Sequence, residues 1–169
     1  QKNQQMLMYI LKAIEAKNPS KDFCLISVGR GHTQKDVEQL ASKLGVDGKV
    51  RFLGQRTDVP KLLNAMDMFF LPSLFEGFPI VAIEAQTAGL PLVIADTISK
   101  EVELTNLVHW LPIDKGAEVW AEKYYQIAHT KVNRVQYAPI VERKGFDARH
   151  SAQILQDIYV KNILRNENS

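Results

Sequence analysis

Apolar residues at Met6, Leu7, Ile10, Leu11 and Ile14 recur at helical spacing, so the chain opens on an amphipathic helix that Asn18, Pro19 and Ser20 bring to an end. The next apolar block is different in kind. Residues 23–28, Phe-Cys-Leu-Ile-Ser-Val, form a continuous run of strand length, expected to be a parallel strand buried on both faces. Gly29, Arg30 and Gly31 turn the chain. Thr33 is placed to cap a second helix, whose inner face carries Val37, Leu40, Ala41 and Leu44 and which stops at Gly45.

The alternation then repeats. Residues 50–53 predict a short strand ending at Gly54, and Asp58 is expected to cap a short helix through Leu63 with Pro60 in its first turn. Residues 68–71 predict a strand, 79–88 a helix opened by Pro79 and stopped by Gly89, and 92–95 and 107–111 two more strands. A helix over 117–129 carries Val119, Trp120, Tyr124 and Ile127. A short one follows Pro139. Asp147 caps the last, with Ile154, Leu155, Ile158, Tyr159 and Ile163 on one side. Strands alternating with helices predict an α/β fold: a Rossmann-like, doubly wound parallel sheet with helices on both faces. Ligands of such sheets sit outside the carboxyl ends of the strands, so the turns after Val28, Leu53, Leu71 and Ala95 share the edge where a site is expected.

Composition narrows the choice of function. With 169 residues the chain is expected to form one domain over residues 1–165, with a frayed tail at 166–169. The hydrophobic fraction of 46% and charged fraction of 24% are those of an ordinary globular protein. A net charge of +2, with the two signs mixed along the chain, gives no ground for a nucleic-acid partner. The lone Cys24 excludes an internal disulfide and a cysteine zinc site, fits a reducing, cytoplasmic setting, and reads as a small buried apolar residue. His32, His109, His129 and His150 lack ligand spacing, and no Asp-x-Asp pair occurs, so no metal and no cofactor are expected. No apolar stretch is long enough to span a bilayer. Because the chain begins with Gln1 and runs straight into a helix, it reads as a piece of a longer protein.

Two acidic residues stand out against this background. Glu76 precedes a Gly-Phe-Pro turn, and Glu84 lies in an otherwise apolar run. A carboxylate buried without a partner costs several kcal/mol or changes its protonation state, on the order of the usual burial penalties. We read the partner of Glu84 as the hydroxyls of a nucleotide's sugar, since an ionised carboxylate can accept from both members of a diol. The free amides at the start of the helix over 79–88 suit a diphosphate; Gly77 permits close approach, and Pro79 removes a donor that has no partner there. Gly29 and Gly31 fit a turn and a ligand contact equally well.

The segment from Phe75, Phe-Glu-Gly-Phe-Pro-Ile-Val-Ala-Ile-Glu-Ala, followed by Ala88-Gly-Leu-Pro-Leu-Val, closely resembles the retaining glycosyltransferases of family 4. So do Gln1-Lys2-Asn3, the Val-Gly-Arg-Gly run ending at Gly31, the Val-Arg-Phe-Leu-Gly run ending at Gly54, and Ala65-Met66-Asp67-Met68 before Pro72-Ser73. The stretch 73–123 is similar to the exopolysaccharide and capsule subgroup. The resemblance implies the C-terminal, donor-binding half of a GT-B fold, with a nucleoside-diphosphate sugar as donor and a polysaccharide or lipid-linked acceptor held by a missing N-terminal domain. It implies that Glu84 holds the ribose, that Glu76 acts beside the donor sugar as the catalytic candidate, and that the amides of Phe78, Ile80 and Val81 meet sugar or diphosphate oxygens. Lys2 would neutralise the diphosphate, with Gly29 and Gly54 beside the nucleotide and its base. Any contact with the inner face of the cell membrane would fall mainly to the other domain. The family's Gly-Arg segment, with its first strand and a second cation, would precede Gln1, and Arg30 stands where many relatives are acidic. A nucleotide-sugar 2-epimerase half and a non-catalytic nucleotide-binding module are the rival readings.

Overall fold

The computed structural model describes residues 1–19 and 23–167; Ser20, Asn168 and Ser169, which the sequence assigns to a helix end and a frayed tail, lie outside the described residues. The elements are α1 (Gln4–Lys17), β1 (Leu25–Val28), α2 (Gln34–Leu44), β2 (Val50–Gly54), α3 (Val59–Ala65), β3 (Phe69–Leu71), α4 (Ile80–Thr87), β4 (Leu92–Ala95), β5 (Val108–Leu111), α5 (Gly116–Ile127), α6 (Tyr137–Arg143) and α7 (Ala148–Glu167). The α/β class is as expected, and every strand pairing is parallel.

β4 shows how the layers arise. Its four side chains are all at 0% exposure and alternate between two cores. Leu92 and Ile94 pack with Ala82 and Ile83 of α4 and Tyr137 and Val141 of α6. Val93 and Ala95 pack with Ile10 and Ile14 of α1 and Trp120 of α5. Helices thus cover both faces of this part of the sheet.

The strands do not form one continuous sheet. β1 pairs with β2, and β3, β4 and β5 form a separate sheet in that order. Side-chain packing by α1 joins the two pieces where backbone hydrogen bonds do not: Ile10 and Ile14 enter the core of the larger sheet, while Met8 and Leu11 enter the core built on Val37, Ala41, Val46 and Val50. The break corrects the expectation for residues 23–28. The strand begins only at Leu25, all four of its residues are half-buried, and Cys24 is exposed rather than buried. A strand with a neighbour on one side only has lost half the cover that buries a central parallel strand.

Helix ends need two further corrections. Neither Thr33 nor Asp58 makes the side-chain cap expected of it. Asp58 accepts instead from Arg56, through Nε to Oδ1 and Nη2 to Oδ2, both at 2.8 Å. A forked, charge-assisted pair outcompetes a single amide for the same carboxylate. Asp147 does cap α7, its Oδ1 accepting from the Arg149 amide at 3.0 Å. Helix α6 starts two residues before Pro139, which therefore sits in the first turn, where its missing N–H costs nothing.

α4 ends as its sequence predicts. The Leu90 amide donates to Ala85 and the Gly89 amide to Gln86, both at 2.9 Å, the paired bonds of a Schellman stop. Gly89 has φ +65, and a Cβ there would lie 2.6 Å from Arg134 Cα, so no other residue fits.

Candidate functional site

The site is built around the start of α4. Pro79 has extended ψ and stands just outside the helix, so the helix proper begins at Ile80, one residue later than expected. No side chain caps this end. The amides of Ile80 and Val81 are therefore left without a capping side chain, at the end where the helix dipole favours negative charge, while that of Ala82 donates to the Pro79 carbonyl at 2.9 Å.

Glu84 lies one turn further on. The buried residues of α4 are Ala82, Ile83, Ala85 and Gln86; Glu84 lies between them and the exposed stripe of Ile80 and Thr87, and is half-buried. Its carboxylate makes no hydrogen bond and no ion pair with any described residue. An acid in this setting, with apolar neighbours and no internal partner, has acceptor capacity left over for a ligand.

Glu76 is fixed by residues that the sequence pattern did not single out. Ser73, at 0% exposure, donates its hydroxyl to Glu76 Oε1 at 2.9 Å. The Ser73 carbonyl in turn accepts from the Thr97 hydroxyl at 2.8 Å. The turn after β3 is thereby tied to the turn after β4. The only sequence hint of this link is a pair of small hydroxyl residues just past two predicted strands.

Lys2 is exposed, and the chain beside it is anchored: the Leu74 amide donates to the Gln1 carbonyl at 2.9 Å. That bond brings the first residues alongside the 74–77 loop. Asn3 then turns the chain into α1 with φ 50, a left-handed conformation that asparagine tolerates better than most residues.

On the smaller sheet, the Gly29 amide donates to the Gly54 carbonyl at 2.8 Å, joining the turns after β1 and β2. Arg30 Nε lies 3.9 Å from where a Gly54 Cβ would be. Gly77 lacks positive φ, and a Cβ there would meet nothing within 4 Å. The fold therefore does not require glycine at 77. Leu74, Phe75, Phe78 and Ile80 are all exposed around this mouth.

Other charged groups near the strand ends are committed elsewhere. Arg56, beside the turn after β2, is held by Asp58, which keeps the Asp58 carboxyl below its ordinary range. Glu103 accepts from Trp110 Nε1 at 2.7 Å, while Lys100 Nζ lies 3.4 Å over the Trp110 ring. A cavity of about 430 Å³ lined by Asn106, His109, Lys123, Lys131 and Tyr137 lies next to Pro91 and Leu107, which lead into β4 and β5, and holds none of the site residues. Among the described residues no group of three His, Cys, Asp or Glu could hold a metal ion, and no helix is long and apolar enough to cross a membrane.

Residues 1–129 match the family described as glycosyl transferases group 1. The chain belongs to that family. EpsF of Bacillus subtilis (strain 168) is 31% identical over 154 residues, covering 89% of this chain and 40% of EpsF. The lipopolysaccharide glucosyltransferase WaaG of Escherichia coli (strain K12) is 33% identical over 137 residues, covering 80% of this chain and 34% of WaaG. This group 1 glycosyltransferase chain thus spans well under half the length of either relative. Its solved neighbours are GT-B glycosyltransferases. The Anabaena protein HepE, crystallised with UDP and glucose, superposes with a TM-score of 0.67 at 24% identity, over 94% of this chain and 45% of HepE.

Proposed function

We propose that this chain is the donor-binding, C-terminal half of a retaining, family 4 glycosyltransferase of the exopolysaccharide or capsule type. The intact enzyme would move a sugar from a nucleoside-diphosphate donor to a polysaccharide or lipid-linked acceptor held by an N-terminal domain. One observation carries the reading: the half-buried Glu84 carboxylate has no partner among the described residues and lies one turn from an uncapped helix start. A ribose diol and a diphosphate would satisfy the two together.

The remaining roles follow from position. The amides of Ile80 and Val81, with that of Phe78, receive the oxygens of the diphosphate or sugar, and Gly77 leaves room for close approach. Lys2 adds a positive charge beside the same loop. Gly29 and Gly54 flank the nucleotide and base. Glu76, oriented by Ser73, stands next to the donor sugar. As the glycosidic bond breaks, negative charge accumulates on the leaving nucleoside diphosphate, and the start of α4 stabilises it there. The reading assigns this work to amides and Lys2, with no metal or other cofactor. The family match, and relatives named as transferases, favour transfer over epimerisation.

Since HepE was crystallised with UDP, UDP is the first probe. Calorimetry is expected to detect UDP binding to this chain, and Glu84→Ala is expected to weaken it about 10- to 100-fold, the worth of one or two hydrogen bonds to a charged group. Equal binding by both proteins would overturn the reading. Without an acceptor domain, the chain alone is expected to show little transfer.

A further inference from the structure

Phe146 has no place in the core, yet it is not idle. Its ring stacks on that of Phe78 with the planes 4° apart and the centroids 5.9 Å apart, an offset parallel pair. Both rings stay about two-fifths exposed, at 42% for Phe78 and 41% for Phe146. The stack therefore fills no interior space. What it does is hold one loop against another.

The loop on one side is Gly77-Phe78-Pro79, immediately before the uncapped start of α4. Beside Gly77 the space where a Cβ would stand is open, with no atom beyond the chain neighbours within 4 Å, so packing at that position does not hold the turn. The other side is firmly anchored. α6 packs on α4 through Tyr137 and Val141, which share a core with Ala82 and Ile83. After α6, the Gly145 amide donates to Glu142 at 2.9 Å, and the Phe146 amide to Val141 at 3.4 Å. Gly145 has φ +91, the conformation that reverses the chain and aims Phe146 back over Phe78. Asp147, the next residue, is committed to capping α7.

We propose that Phe146 is a positioning residue for the donor site: by stacking on Phe78 it holds the turn whose amides receive the outer phosphate and sugar of the donor. The inference rests on the proposed function and adds to it a residue far along the chain from the motif, beyond α6. Removing the ring frees the turn, which must then be ordered at the moment of binding, and the cost falls on the part of the ligand that the turn touches.

Calorimetry on this chain with UDP and with uridine monophosphate tests it. Phe146→Ala is expected to weaken UDP binding about 3- to 10-fold, the worth of one aromatic pair, while the affinity for the monophosphate changes less than about twofold. Phe146→Tyr keeps the ring and is expected to bind UDP as the unmodified chain does. Phe146→Leu keeps apolar bulk without the ring, is expected to behave like the alanine variant, and serves in its place if alanine impairs folding. UDP binding unchanged in both Phe146→Ala and Phe146→Leu, with Glu84→Ala still defective, would overturn this inference and leave the proposed function standing. Equal losses for the two nucleotides would also overturn it, by showing a general structural role. Failure of the unmodified chain to bind UDP at all would bring down the proposed function and this inference together.

Discussion

In β4 no side chain is exposed at all, whereas in β1 every residue is half-buried and the pairing with β2 slips between Ser27 and Val28. The two sheets also differ in polar wiring. Gln86, fully buried beneath the larger sheet, donates to Ala82 and Val102 and accepts from the Leu104 and Thr105 amides and the Thr105 hydroxyl. Around the smaller sheet the long-range polar contacts are looser: Lys49 pairs with Glu15 at 3.7 Å, and the turns are joined by the backbone bond from Gly29 to Gly54 at 2.8 Å. The difference bears on the site. Glu76, Ile80, Val81 and Glu84 hang from the well-packed part, and Gly29, Arg30 and Gly54 from the looser one. In the proposed donor complex, the sugar and phosphate end is pre-formed while the base end can adjust.

The contrast can be broken by experiment. The largest expected effect is that of Gln86→Leu, which would orphan two buried amides and a hydroxyl and lower unfolding stability by about 3 kcal/mol or more in chemical denaturation. A loss below about 1 kcal/mol would mean that the larger sheet is not wired as described. Next, hydrogen exchange of the β1 amides is expected to run about 100-fold faster than that of β4, through local opening that leaves the larger sheet intact. Equal protection would erase the distinction between the halves. Ser73→Ala is expected to lower the transfer rate of an intact enzyme about tenfold by releasing Glu76, with melting nearly unchanged. The smallest effect concerns His109, whose pKa burial, and then the charge of Lys123, hold below its ordinary value. The folded protein favours the neutral ring, so this contribution to stability is present above the ordinary histidine pKa of about 6.5 and is lost as the pH falls from there towards the lower folded value. Denaturation midpoints measured from pH 7 to pH 5 are expected to fall less steeply for His109→Gln.

Much of this arrangement was legible in the chain, for identifiable reasons. The run from Glu76 to Gly89 carries its own punctuation: a proline, a glycine, and a carboxylate where the pattern calls for an apolar residue. Strand and helix order followed from apolar runs and helical spacing together with their glycine and proline boundaries. What escaped was side-chain choice over distance. Asp58 has the sequence signature of a cap, but Arg56, two residues away, takes it first. Cys24 sits in an apolar run and is nevertheless exposed, because burial depends on a neighbour that the run cannot specify. Ser73 and Thr97 meet across 24 residues through one hydroxyl and one carbonyl. Phe146 stands in a stretch without periodicity, and only the reversal at Gly145 brings it to Phe78.

α1 touches both cores through neighbouring faces, Ile10 and Ile14 on one and Met8 and Leu11 on the other, with Lys2 at its leading end. It is the one helix whose side chains enter both cores, among the described residues. A few degrees of roll of α1 would tilt the Gly29 and Gly54 turns relative to Glu84, and so change the span open to the proposed donor.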